Sequence, residues 1–154
     1  MENNKGKNFK FATTPPEDTY KQKYSIVTKK AAYFELYPYF SFRYYDDTHR
    51  KFTFDNLKEK DLRKFFKSIK KMSQYQWKDI FTSLKKYFRA HEVNWRQTSV
   101  KQGFSNLPTE LKDLPAIQFE LFGESRVIGF FNKDNVFKIV WVDRYHEIYS
   151  SENY

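Results

Sequence analysis

The residues best suited to chemistry lie in the C-terminal third of the chain. His146 falls in the segment Asp143-Arg-Tyr-His-Glu-Ile-Tyr149, directly after a long apolar run, and Arg126 opens an earlier apolar run. A guanidinium group can hold a phosphate through two hydrogen bonds, and an imidazole can move a proton near neutral pH during strand cleavage. Arg126 and His146 are therefore a candidate pair for chemistry on a phosphate ester.

Three apolar segments must position this pair. Ile117 to Phe122, Arg126 to Phe131 and Val136 to Val142 are separated by turn residues, which predicts a three-stranded antiparallel meander. A turn centred on residues 134–135 pairs Arg126 with Asp143, and a four-residue turn pairs it with Trp141.

Both registers place Arg126, Trp141 and Asp143 on one face, because side chains alternate along a strand. Arg126 and His146 are then expected near one rim of the sheet. The alternative is a cross-strand ion pair between Arg126 and Asp143, with His146 on an exposed end.

Two consecutive helices are predicted upstream of the meander. The first begins at a cap, Asn56, and carries an apolar stripe whose spacing fits a helix: Leu62, Phe65, Phe66, Ile69 and Met72. Residues 73–76 have the spacing of a capping box, and the second helix is predicted to run from Trp77 to about Lys86.

Earlier still, residues 39–45 and 51–55 alternate aromatic and polar residues around a five-residue turn, which predicts a β-hairpin. The expected fold class is α+β, with an antiparallel sheet formed by this hairpin and the meander and packed by the two helices. Residues 31–154 are expected to form one domain, and residues 1–30 a basic flexible tail.

The positive charge is concentrated in the middle of the chain. The whole chain has a net charge of +9, and residues 58–101 alone contain thirteen basic and four acidic residues. Such a surplus favours a polyanionic partner, and RNA is the expected one. The predicted RNA-binding residues combine cations with groups that can stack on bases: Arg63, Lys64, Lys67, Lys71, Arg89, His91, Trp95, Arg96 and Lys101. A solvated lysine face that keeps a Phe-rich protein soluble, or an acidic protein partner, explains the charge as well.

Several function classes are not expected. The chain has no Cys, its His residues lack paired-ligand spacing, and its four Gly residues stand apart, which argues against a metal site or a nucleotide cofactor. Met1 to Lys10 has no signal-peptide core, and no uncharged apolar run approaches the ~20 residues that span a bilayer. We therefore expect a cytoplasmic protein with no cofactor and no membrane contact.

From about Asn56 onward, the two helices and the strand pattern resemble the RelE/ParE superfamily of small basic bacterial toxins, especially its ribosome-dependent YoeB-like branch. The motif that carries the resemblance is Arg-Val-Ile-Gly-Phe, a turn, and then Val-Phe-x-Ile-Val-Trp-Val-Asp-x-x-His-x-x-Tyr. The match covers roughly 95 residues. The chain is longer than such toxins, and the hairpin and tail are additional. The Phe-Ser-Phe-Arg-Tyr segment and the Arg89–Arg96 stretch also resemble a group of small bacterial proteins to which no activity is attached.

The resemblance to the toxins implies a metal-independent endoribonuclease that cuts mRNA, on or near the ribosome, with an acidic antitoxin as partner. Glu110 would be the base, with Glu120 as its rival, Arg126 would stabilise charge on the phosphate, and His146 or Tyr149 would be the acid. Arg126 and His146 are then expected in one solvent-open groove. The alternative function is a non-catalytic module that binds RNA or a protein in a toxin–antitoxin or phage-defence system.

Overall fold

The computed structural model describes residues 34–132 and 134–149. The expected tail, residues 1–30, lies outside them. The strands are β1 (Tyr39–Ser41), β2 (His91–Glu92), β3 (Ala116–Glu120), β4 (Arg126–Phe130) and β5 (Val136–Asp143). The helices are α1 (Glu59–Met72), α2 (Trp77–Phe81), α3 (Lys85–Phe88) and α4 (Thr109–Lys112), and 3-10 turns occupy Phe54–Asn56 and Trp95–Gln97.

The sheet is mixed. Its strand order is β1-β5-β4-β3-β2, with β1 parallel to β5 and every other pair antiparallel. The predicted N-terminal hairpin is wrong, because residues 51–55 form no strand and β1 pairs instead with Val136–Lys138. The expected fold class, an antiparallel sheet formed by the hairpin and the meander and packed by two consecutive helices as in a RelE-like domain, is therefore also wrong: the fold is α+β with a mixed sheet, and the described residues contain one long helix.

Residues 39–54 instead wrap around the β5 edge of the sheet. Phe40 packs against Trp77 with ring centroids 6.0 Å apart, on the same side of the sheet as α1. Tyr44 packs on Phe130 at 5.6 Å, and Phe52 packs on Trp141 at 5.2 Å, both on the opposite side. The alternating aromatic residues therefore pack on the two opposite faces of the sheet. They do not belong to two strands that pair with each other.

The helices differ from their prediction in length. α1 begins at Glu59, where the Asp61 carboxylate accepts a hydrogen bond from the Lys58 backbone N–H at 3.2 Å. Of the predicted stripe, Phe65 and Met72 are fully buried, but Phe66 faces solvent. The predicted second helix is interrupted after Phe81, because Thr82 leaves helical geometry at φ −122° and ψ −91°, so α2 and α3 are separate short helices.

Two hydrophobic cores lie on opposite faces of the sheet. The helix face is the side covered by α1, α2 and α3, where Phe65, Trp77 and Phe137 are among the buried residues. The loop face is the side covered by residues 42–53 and 93–114, where Phe104 and Trp141 are buried. The predicted meander strands lie between these two cores.

The register of the meander determines which side chains reach the loop face. Arg126 lies opposite Asp143, one of the two predicted registers, and Ile128 lies opposite Trp141. A bulge then shifts the pairing so that Gly129 lies opposite Ile139. A Cβ at position 129 would lie 2.0 Å from the Lys138 carbonyl oxygen, so the close approach of the two strands requires glycine there.

Candidate functional site

Three charged residues form a row across one end of the sheet on the loop face. Glu120, Arg126 and Asp143 are cross-strand neighbours on β3, β4 and β5. Glu120 forms ion pairs with two guanidinium groups: its Oε2 lies 3.2 Å from Arg126 Nη2 and 2.8 Å from Arg89 Nε. The Arg126 side chain is only 6% exposed, whereas that of Arg89 is 67% exposed. Arg89 is therefore the guanidinium of this row that solvent, or a ligand, can reach.

The buried Arg126 is held by the protein itself. Its Nη1 donates to the Gly123 and Ser125 carbonyl oxygens, both at 3.1 Å, and its buried Nε has no partner. Within the described residues no hydrogen bond or ion pair joins Arg126 to Asp143, so the expected alternative pair does not form. Arg126 fixes the turn between β3 and β4 and does not lie in an open groove.

Asp143 instead organises the turn that carries His146. Its Oδ1 accepts from the Glu147 backbone N–H at 2.9 Å, and its Oδ2 accepts from that of Ile148 at 2.8 Å. Asp143 is completely buried, and this burial raises the pKa of its carboxyl group. His146 has a left-handed backbone, with φ +57°, so the capped turn fixes an unusual conformation at the candidate acid.

The turn places His146 next to Tyr149, whose ring also lies near a second histidine, His91. The ring centroid of Tyr149 lies 5.7 Å from that of His146 and 6.2 Å from that of His91. Burial, followed by the positive charge of Arg126, lowers the pKa of His146. Burial raises the pKa of Tyr149, and the backbone of Asn94 partly offsets this rise. The cluster of His91, His146 and Tyr149 thus sits beside the charged row.

His91 has a defined tautomer. Its Nδ1 lies 2.8 Å from the Arg89 carbonyl oxygen. A carbonyl oxygen can only accept, so Nδ1 carries a proton and Nε2 is the ring atom left to exchange protons with a ligand. The sequence assigned His91 to RNA binding only, since a two-residue strand such as β2 leaves no periodic signal that would place it beside His146.

The structure separates the two candidate bases. Glu110 is exposed on α4, which precedes the first residue of β3, whereas Glu120 ends that strand. A strand rises about 3.3 Å per residue, so the two ends of β3 are about 13 Å apart. Glu120 belongs to the cluster and Glu110 does not, which corrects the expected place of Glu110.

Part of the predicted RNA-binding surface adjoins the cluster. Lys67, Lys71 and Tyr87 line a groove of about 260 Å³ that also reaches Glu120. Lys71 donates to the Tyr87 hydroxyl, and Lys64 Nζ lies 6.0 Å from the centre of the Phe122 ring. These side chains extend the positive surface of Arg89 along α1.

The other predicted RNA-binding residues lie elsewhere or are otherwise engaged. Arg63 pairs with Glu59, and Trp95 packs at the loop-face core, with ring centroids 5.1 Å from Phe104 and 6.0 Å from Trp141. Trp95 therefore contributes to packing on the loop face. Arg96 is exposed beside it, and Lys101 is exposed on the loop that follows.

The described residues contain neither a metal-binding cluster nor a membrane-spanning helix. No group of three or more His, Asp or Glu side chains has an arrangement that could hold a metal ion. None of the helices in residues 34–132 and 134–149 is long and apolar enough to cross a membrane.

Comparison with known proteins places the chain in one family. No curated protein and no solved structure matches it. The resemblance to RelE/ParE toxins is not tested by these comparisons and stays a prediction. A family model described as "Uncharacterised protein UU032" matches residues 34–154, which include both faces of the sheet and the whole candidate site. The chain belongs to this family.

Proposed function

We propose that this protein is an endoribonuclease that cleaves RNA by acid–base chemistry at the cluster of His91, His146 and Tyr149. The observation that carries the proposal is the pair of histidines that both contact Tyr149, next to the exposed guanidinium of Arg89. Two imidazoles near one phosphate can accept and donate a proton in the same reaction. The roles drawn from the resemblance are revised accordingly.

His146 is the base. Its lowered pKa keeps its ring neutral near pH 7, so it can accept the proton of a ribose 2′-hydroxyl. Glu120 is a weaker candidate, because protonation would cost it both of its ion pairs. As the proton leaves, the 2′-oxygen attacks the adjacent phosphorus and forms a new P–O bond.

His91 is the acid. Its Nδ1–H donates to the Arg89 carbonyl oxygen, which orients the ring and leaves Nε2 as the atom that can hold and give away a proton. The bond from phosphorus to the 5′-oxygen breaks, and this oxygen takes the Nε2 proton. The products are a 2′,3′-cyclic phosphate and a 5′-hydroxyl end. Arg89 stabilises the charge that develops on the phosphate, and Tyr149 positions the two rings.

RNA is the proposed substrate because the reaction uses a 2′-hydroxyl group and the cluster adjoins a positive surface. Lys64, Lys67 and Lys71 are exposed along α1 beside Arg89 and can neutralise backbone phosphates. Cleavage of mRNA on the ribosome, control by an acidic antitoxin and a cytoplasmic location stay predictions.

The test is cleavage of a defined RNA by the full chain and by the variants His91→Ala and His146→Ala. We expect each substitution to slow cleavage by about 100-fold or more, because each removes a proton-transfer group. Glu92→Ala, the exposed neighbour of His91 on β2, is the matched control and should leave the rate unchanged. The cut ends should carry a cyclic phosphate, and an RNA with 2′-O-methyl groups should stay intact.

A second candidate function is RNA binding without cleavage. The observation that favours it is the burial of Arg126, whose hydrogen bonds and ion pair within the described residues are with carbonyl oxygens and with Glu120. Binding that falls steeply with salt and is lost when Lys64, Lys67 and Lys71 are changed to Glu, with no cleavage by any variant, would select this function. RNA that stays intact and unbound would exclude both functions.

A further inference from the structure

A second cleft on the loop face has a different composition from the candidate site. Its volume is about 530 Å³, within the range of about 300–1,000 Å³ that small-molecule sites occupy. The residues that matter for recognition are His49, Lys101, Phe104, Lys112 and Trp141. No role assigned above to the site around His146 involves this cleft.

Aromatic rings form the inner wall of the cleft. His49 stacks on the buried Phe52, with centroids 4.5 Å apart and ring planes inclined by 11°. The His49 ring lies 4.9 Å from Trp141, which in turn lies 4.8 Å from Phe104. Phe52, Phe104 and Trp141 are themselves buried, so the half-buried His49 is the ring of this wall that a flat ligand can contact. Packing on Phe52 and Trp141 holds the His49 ring in place, which lowers the entropic cost of binding.

His49 offers a hydrogen-bond donor with a defined position. Its Nδ1 accepts from the backbone N–H groups of Lys51 and Phe52, both at 3.1 Å. Nδ1 therefore carries no proton, and the proton of the neutral ring resides on Nε2. Within the described residues, Nε2 has no protein acceptor.

The cleft is also positively charged. Lys101 and Lys112 are exposed, and neither forms an ion pair in the part of the chain that the structure describes. The nearest buried carboxylate, that of Asp46, is occupied by the Trp141 indole N–H at 3.2 Å and by Thr48. Two cations and a neutral N–H donor beside aromatic rings form a surface for a flat group that carries negative charge.

We propose that this cleft binds a nucleotide, with its base against the aromatic wall and its phosphate at His49 Nε2, Lys101 and Lys112. The ligand is either a free mononucleotide or one nucleotide of an RNA strand. The loop that lines the cleft is bonded to the turn that carries His146, through Ser99 N–H to Ile148 O at 2.8 Å and Ser99 Oγ to Glu147 O at 3.1 Å. A bound strand could therefore reach from the cleft to the candidate site.

The test measures binding without cleavage. Adenosine 5′-monophosphate and a short RNA are titrated separately into the ¹⁵N-labelled His146→Ala chain, and the Trp141 indole signal is followed. We expect at least one ligand to shift this signal in a saturable way. Shifts with the mononucleotide identify a site for free nucleotides, shifts with RNA alone identify a substrate subsite, and no shift with either ligand overturns the proposal.

Charge variants show where the ligand binds. Lys101→Glu/Lys112→Glu should weaken binding by at least about 10-fold, while Lys85→Glu/Lys86→Glu, the same change of charge on exposed residues of α3, should change it by less than about 3-fold. Equal losses in the two double variants would overturn the cleft as the site. If the unsubstituted chain binds a nucleotide in the cleft but cleaves no RNA, the cleft proposal is supported and the proposed nuclease function is contradicted. If the chain cleaves RNA but binds no nucleotide in the cleft, the nuclease function is supported and the cleft proposal is contradicted.

Discussion

The two faces of the sheet are built from different residues. On the helix face, Trp77 lies in a core of large apolar side chains and contacts five other aromatic rings, those of Phe40, Phe81, Phe119, Phe131 and Phe137. On the loop face, buried polar groups accompany the apolar ones: Asp46, Gln118, Arg126 and Asp143. Apolar burial is the main source of stability, whereas buried charges are costly unless they are paired. The difference indicates that the helix face contributes most of the apolar stabilisation of the sheet, and that the proposed site lies on the more polar loop face.

The largest expected effect on stability comes from removing the Trp77 side chain at the centre of the helix-face core. Trp77→Ala should lower the free energy of unfolding by about 3–5 kcal/mol, because it deletes a fully buried indole and leaves a cavity. Phe66→Ala, on the exposed side of α1, is the control and should change stability by about 0.5 kcal/mol or less. Urea unfolding followed by circular dichroism measures both, and equal losses would show that burial in the helix-face core does not determine stability.

On the loop face the largest effect should come from Arg126→Leu. The substitution leaves the Gly123 and Ser125 carbonyl oxygens and one side of Glu120 without their donor, and should cost about 2–3 kcal/mol. It should also raise the pKa of His146, because the positive charge of Arg126 lowers it.

Stability is measured by urea unfolding and the pKa of His146 by an NMR titration. A loss of stability with an unchanged His146 titration would show that Arg126 acts on the turn alone. This substitution therefore separates the structural role of Arg126 from its electrostatic one.

The elements that were predictable are those whose pattern is local. α1 and β3 to β5 follow from apolar spacing within each segment. The predicted hairpin was wrong because the alternation in residues 39–55 indicates that both sides of the segment are packed, but it does not identify the residues they pack against. Tyr44 packs on Phe130 and Phe40 packs on Trp77, and both partners are distant in sequence. A two-residue strand such as β2 carries no pattern at all.

The same limit applies to the candidate site. The sequence predicted that Arg126 pairs with either Asp143 or Trp141, because side-chain alternation and a short turn limit the register, and the structure pairs it with Asp143. The burial of Arg126 could not, because it depends on carbonyl oxygens of Gly123 and Ser125, which have no signature in the sequence. His91 approaches His146 only through the sheet pairing of β2 and the turn capped by Asp143.

Acid should weaken the loop face by a smaller amount. Burial lowers the pKa values of both His49 and His146. The unfolded chain then binds more protons than the folded one between these lowered values and the ordinary pKa near 6.5, so stability falls as the pH falls through this window. Unfolding in urea at pH 7.5 and 5.5 should show this fall, and the variant His146→Asn should show less of it. An equal pH dependence in the variant would exclude His146 as a source.

The smallest expected effect concerns an ion pair outside both cores. Arg63 Nη2 lies 2.6 Å from Glu59 Oε1, closer than the 3.2 Å between Arg126 and Glu120. If distance alone decided the strength of an ion pair, the pair on α1 would be the stronger of the two. Its side chains are about 80% exposed, however, so water and salt screen the attraction between the charges. The entropy lost when two long side chains are ordered offsets part of what remains. Glu59→Gln should therefore cost about 0.3–0.5 kcal/mol in urea unfolding at low salt and nothing measurable at 0.5 M salt. A loss comparable to that of Arg126→Leu would mean that burial does not decide the strength of ion pairs in this protein.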